Sequence, residues 1–107
     1  MSYSIIAIPN FKRKLKKLAK KYPSLKKEYT DLIEVLEKEP QQGTSLGHNC
    51  YKIRLAIASK GKGKSGGARV ITNLLIDGKK VYLLSIYDKS EKDTISDNEL
   101  AILLRFI

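Results

Sequence analysis

Hydrophobic and polar positions follow two periods along this chain, and the change of period marks out its elements. Tyr3 to Ile8 is a short apolar run that reads as a strand, ended by Pro9. Asn10 is placed to cap a helix in which Phe11, Leu15, Leu18, Ala19 and Tyr22 recur at helical spacing. Pro23 breaks that helix and Ser24 can cap the next, where Leu25, Tyr29, Leu32, Ile33 and Leu36 repeat the spacing. This predicts an antiparallel helical hairpin with a tight joint, closed by Pro40. Gln41 to Asn49 reads as a polar loop.

From Cys50 onward the period falls to two. Tyr51, Ile53, Leu55 and Ile57 share one face of a strand spanning Cys50 to Ala58, and Lys52 and Arg54 take the other. Arg69 to Ile76 sets Val70, Thr72, Leu74 and Ile76 opposite Arg69, Ile71 and Asn73. Asp77-Gly78 signals a hairpin. The third strand, Lys79 to Tyr87, puts Val81, Leu83, Ser85 and Tyr87 on one side. Ser96 and Glu99 form a capping box for a last helix, Asp97 to Phe106. The expected architecture is α+β, in one domain over residues 1–107. An N-terminal strand and helical hairpin pack on one face of an antiparallel three-strand meander, followed by a short C-terminal helix. The other sheet face stays partly open, with the strand cations projecting from it.

Charge narrows the partner. The chain of 107 residues is 42% apolar and 30% charged, with net charge +10. Residues 1–27 carry nine Lys or Arg and no acid, and residues 47–76 carry six and no acid. Two basic blocks of this kind favour a polyanion, nucleic acid first. The lone Cys50 excludes an internal disulfide framework and reads as buried and inert. No His, Cys, Asp and Glu cluster has metal-ligand spacing, so neither metal nor other cofactor is expected. The N-terminal apolar run is too short for a signal peptide, and no stretch is long enough to span a bilayer, so a cytoplasmic protein without a membrane partner is expected.

The candidate chemistry lies in CYKIRLAIASKGKGKSGGARVI, residues 50–71. Lys52, Arg54 and Arg69 sit on strands, which can hold cations rigidly; they suit a phosphate site or, equally, a solvated sheet face. Lys60, Lys62 and Lys64 lie in a glycine-rich loop and suit backbone phosphate contacts. That loop is no nucleotide-binding P-loop, because Lys64-Ser65 leads into Gly66-Gly67 and a strand. Lys89 and Lys92 lie near Glu91 and Asp93, which opens local ion pairing as well as RNA contact. Tyr87 reads either as a core tyrosine or as a phenol in the site. His48 stands in a polar loop, where a surface role outweighs catalysis. Lys12, Lys16 and Lys20, in the first helix, can solvate it, follow RNA phosphates, or meet an acidic partner segment.

The basic hairpin ending at Pro40 with Leu46 beyond it, CYKIRL at 50–55, and SGGARVI with LLSIYDKSEKDTIS at 83–96 together resemble the RelE/ParE superfamily of toxins from toxin–antitoxin modules. The long glycine-lysine insert and IYDKSEK are more similar to the RelE-like and HigB-like branch. The resemblance implies a toxin silenced by an acidic antitoxin that wraps it. It also implies cleavage of mRNA on the ribosome, a metal-independent reaction in which a ribose 2′-OH attacks the scissile phosphate. Lys52, Arg54, Arg69, Tyr87, Lys89 and Lys92 are then the candidate catalytic residues, and Lys60, Lys62, Lys64, Lys12, Lys16 and Lys20 the candidate RNA contacts. The aromatic residue that some RelE-type enzymes carry further along is replaced by Thr94-Ile95-Ser96, and Tyr87 can supply a phenol from another position. ParE-like inhibition of DNA gyrase, and an inactive homologue that binds nucleic acid or antitoxin, are the alternatives.

Overall fold

The computed structural model describes residues 2–61, 63, 65–92 and 94–107. The elements in chain order are β1 (Ser4–Ala7), α1 (Pro9–Lys21), α2 (Leu25–Lys38), β2 (Thr44–Gly47), β3 (Cys50–Leu55), a 3-10 turn (Ala58–Lys60), β4 (Ala68–Leu75), β5 (Lys80–Asp88) and α3 (Asp97–Leu104). The fold is α+β. Among the described residues five strands form one mixed sheet in the order β1-β5-β4-β3-β2. The expected meander is its centre, β3-β4-β5. β1 adds to β5 in parallel, and β2 adds to β3 antiparallel.

β2 replaces part of the expected polar loop. Its residues Thr44–Gly47 lack apolar alternation, because it is an edge strand whose side chains are mostly exposed. What makes it possible is backbone: Gly47, His48 and Asn49 all adopt positive φ, which turns the chain tightly into β3. Helix starts also differ from expectation. α1 begins at Pro9 after Ile8 as N-cap, and Pro suits the first helical position because its missing N–H would be unpaired there. Asn10 is therefore inside the helix, and its Nδ2 donates to the Leu84 carbonyl at 3.0 Å. Ser24 is the N-cap of α2, but its hydroxyl bonds to Ser59 and Glu28 instead of the helix N–H groups. The capping box of α3 forms as expected between Ser96 and Glu99.

The helical hairpin covers the sheet face of Ile53, Val70, Leu74, Val81 and Leu83. Phe11, Leu25, Leu32 and Leu36 are buried against these strands in one apolar core. α3 covers part of the opposite face. Its Leu103 lies beside Ser85, and its Leu100 and Leu104 beside Leu46. That face is accordingly less open than alternation implies: Ile71 and Ser85 are buried there too.

Candidate nucleic-acid interface

The strand register builds the site. β3 and β4 place Arg54 directly opposite Arg69, and Lys52 opposite Ile71. β4 and β5 place Arg69 opposite Tyr87, and Ile71 opposite Ser85. Residues directly opposite in an antiparallel pair share a face. Arg54, Arg69 and Tyr87 thus form one row across three strands on the face away from the helical hairpin.

Tyr87 reaches this row through a β-bulge. Ile71 pairs with Ser85 while Thr72 pairs with Leu83, so Leu84 is an extra residue on β5. Simple alternation puts Tyr87 on the side of Val81 and Leu83. The bulge inverts the phase, and Ser85 and Tyr87 turn to the cation face, as bulges beside functional sites commonly re-aim side chains. The bulge coincides with a change of neighbour. β1 accompanies β5 only from Lys80 to Leu83, and beyond that α1 takes the edge through Ile8 N–H to the Leu83 carbonyl and Asn10 to the Leu84 carbonyl.

Exposure sorts the candidates. Arg54 and Lys89 are exposed, and Lys52 and Lys92 are half-buried. Arg69 and Tyr87 are buried, with 2% and 3% of their surface exposed. The Arg69 guanidinium donates to the Ala68 and Ser65 carbonyls, both at 3.1 Å, and so lies under the base of the basic loop. Lys92 Nζ stands 4.9 Å from the centre of the Tyr87 ring and pairs with Glu99 at 2.6 Å. Among the described residues its ion-pair partner is on α3 rather than the adjacent Glu91.

The basic loop is anchored on its N-terminal side. Lys60 does not project from it: its ammonium pairs with the Asp88 carboxylate and donates to the Gly66 carbonyl at 2.8 Å. Asp88 also accepts from Tyr22 Oη at 2.9 Å and from the Ser90 N–H and hydroxyl at 2.9 and 2.8 Å. Burial alone raises a carboxyl's pKa, but these four donors outweigh it and hold Asp88 well below the usual carboxylate range. Gly67 closes the loop where only glycine fits, since a Cβ there would stand 2.1 Å from the Leu55 carbonyl oxygen. Lys60, expected among the RNA contacts, thus pairs with Asp88 and Gly66 and does not project from the loop. Lys62 and Lys64 lie outside the described residues, as does Asp93.

The lysines of α1 divide into two stripes. Lys12, Lys16 and Lys20 line an apolar groove between α1 and α2, with Leu15, Pro23 and Tyr29. The structure does not bring them to the cation face. Lys14, Lys17 and Lys21 face β5 beside Tyr87 and Lys92 instead. Sequence periodicity separates the two stripes, but which of them faces β5 depends on what lies against the helix. His48 is exposed on the β2–β3 turn, and Cys50 is buried, where burial pushes its thiol up. Among the described residues no three of His, Cys, Asp or Glu gather to hold a metal ion. No described helix is long and apolar enough to cross a membrane.

Comparison with known proteins gives this arrangement a family. The free E. coli RelE toxin, solved as a double arginine-to-alanine mutant, superposes with a TM-score of 0.66 at 19% identity, over 100% of this chain and 99% of that one. The toxin–antitoxin complex RelBE of E. coli matches at 0.61 and 21% identity, over 81% of this chain and 96% of that one. The complex RelBE2 of Mycobacterium tuberculosis matches at 0.59 and 15% identity, over 82% and 92%. At these identities the likeness is one of fold. The family described as "RelE toxin of RelE / RelB toxin-antitoxin system" matches residues 10–106. A match over nearly the whole chain is decisive, and the chain belongs to the RelE toxin family.

Proposed function

We propose that this toxin is an endoribonuclease that cleaves mRNA on the ribosome and so inhibits translation. The row Arg54–Arg69–Tyr87, with Lys92 over the phenol ring, carries the reading. Like charges directly opposite in a sheet are destabilising. A scissile phosphate seated at this row meets both cations at once.

The reaction needs no metal. A base takes the proton of a ribose 2′-OH, the 2′-oxygen attacks the adjacent phosphorus, and the bond to the 5′-oxygen breaks as an acid protonates it. A 2′,3′-cyclic phosphate and a 5′-OH remain. Arg54 and Arg69 stabilise the charge that develops on the phosphoryl oxygens. Lys52, Tyr87, Lys89 and Lys92 are the groups from which base and acid are drawn. Buried Arg69 and Tyr87 form the floor of the site, and exposed Arg54 and Lys89 its rim. The partner that silences the toxin is an acidic antitoxin; the toxin–antitoxin complexes RelBE and RelBE2, which share the fold, support an antitoxin partner.

Primer extension on mRNA in a translation extract, with and without active translation, tests the activity. Cleavage that depends on translation is expected; intact mRNA in both conditions would overturn the reading. Arg69→Ala should slow cleavage on the order of a hundredfold, the typical cost of one transition-state cation. Arg69→Lys, checked for an unaltered melting temperature, separates lost chemistry from lost folding. Wild-type rates in both variants remove Arg69 from the site.

A further inference from the structure

The geometry points to a second phosphate subsite, between α1 and the C-terminal half of β5, that takes a backbone phosphate of the RNA strand lying on the sheet face. It rests on the reading of that face as an RNA site, and extends it across the edge of the sheet.

Because β1 leaves β5 after Leu83, α1 forms the wall along the rest of the strand. That places Lys14, Lys17 and Lys21, on successive turns of one stripe, over a pocket of about 240 Å³. Tyr87, Glu91 and Lys92 form the opposite wall. Tyr87 therefore belongs both to this pocket and to the row with Arg69 and Arg54. The two basic blocks, separated in sequence, become one cationic track. With strands about 4.8 Å apart, the track from β3 over the β5 edge to α1 exceeds the length of one nucleotide.

The local charge balance favours an anion. Among the described residues four ammonium groups line the pocket, and its acids are Glu91 and Asp88, the second of which is committed to Lys60. Lys92 is engaged by Glu99 at 2.6 Å, and among the described lining acids Glu91 then faces the three helix lysines. Lys14 leans over the strand edge, its Nζ 3.4 Å from Ser85 Oγ. Burial and then the neighbouring Lys92 push the Lys14 ammonium below its ordinary value, with Glu99 opposing them, Arg13 adding to them and Glu91 opposing. A phosphate here meets crowded cations whose mutual repulsion it relieves. The other stripe, Lys12, Lys16 and Lys20, carries the same charge but fronts an apolar groove and cannot reach this pocket.

Binding of fluorescent all-deoxy strands, which lack the attacking hydroxyl, is the test. A dinucleotide carries one phosphate and cannot bridge the sheet-face row and the pocket, whereas an octanucleotide spans both. Replacing Lys14, Lys17 and Lys21 by Gln should weaken octanucleotide binding roughly tenfold at moderate salt. It should also flatten the slope of log affinity against log salt by about 0.7 per phosphate lost. Dinucleotide binding, seated on the row, should change much less. The charge-matched control, Lys12, Lys16 and Lys20 replaced by Gln, should leave the octanucleotide slope near wild type, and Glu91→Gln should steepen it. Equal effects of the two triple variants, or equal responses of the two strands, overturn the subsite. A slope change seen only with a base-paired RNA hairpin overturns the assignment to the substrate strand in favour of folded RNA. Dinucleotide binding indifferent to Arg54→Gln instead counts against the sheet-face reading, so the two failures are distinguishable.

Discussion

Asp88 shows how one side chain organises the neighbourhood of the site. It ends β5 with only 2% of its surface exposed and gathers Lys60, Tyr22 and Ser90 around its carboxylate. Lys60 in turn ties the start of the basic loop to Gly66 at its end. Removing one member of a buried pair leaves the other charged and unpaired, at a cost of about 3–5 kcal/mol. Asp88→Asn should lower unfolding free energy by that order in urea titrations at neutral pH. The pH dependence has a definite sign. A carboxyl held below its ordinary value in the folded state contributes stability that is fully present above the unfolded value, near pH 4, and is lost as pH falls below it. The wild type should therefore lose stability on acidification below about pH 4, and Asp88→Asn should show a flatter acid limb over the same range. An equally steep limb in the variant would assign the acid sensitivity to other carboxylates.

At the scale of elements, two features set the exposed chemistry. The bulge at Leu84 decides which face Tyr87 joins, and α3 decides how much of that face stays uncovered. α3 is short, eight residues, and short helices are marginal without tertiary contacts and caps. Its capping box satisfies N–H groups at its start, and Leu100 and Leu103 hold it on the sheet. Glu99 serves twice, in the box and as the partner of Lys92. The Lys92 hydrogen bond first, and then the Ser96 contacts, hold its carboxyl below the ordinary range against some burial. Ser96→Ala should cost about 1 kcal/mol of stability. Hydrogen exchange should show the loss concentrated in α3, with faster exchange of its amides and little change in β4. Uniform acceleration across the sheet would mean that α3 and the sheet open as one unit.

Across the whole molecule, a net charge of +10 is concentrated on one side of the sheet and on α1. Under the proposed function, cations placed together for a ligand destabilise the protein that lacks it, so binding and stability pull apart at Arg54. Arg54→Gln removes one of two like charges in the Arg54–Arg69 pair and should raise the melting temperature of the free protein. The same change should shrink the stabilisation produced by inorganic polyphosphate, because a ligand stabilises only through its affinity for the native state. A lower melting temperature in the free variant would show that Arg54 serves packing rather than anion binding.

What the sequence determined by itself is everything that depends on near neighbours. Helical spacing located α1 and α2, alternation located the three central strands, and Ser96 with Glu99 located the start of α3. The cations of the row, Arg54 and Arg69, were legible because alternation along each strand gives a face without reference to partners. The tertiary structure decided what depends on who stands opposite. The parallel pairing of β1 with β5 and the polar edge strand β2 leave weak local signals, because their stability comes from hydrogen bonds to distant segments. Lys60 reads as a loop cation until Asp88, 28 positions away, is seen beside it. Tyr87 reads as a residue of the Val81 face until one extra residue in β5 inverts the phase. A period of two carries a face assignment only as far as the next bulge, and a bulge is set by register between strands, which no local pattern records.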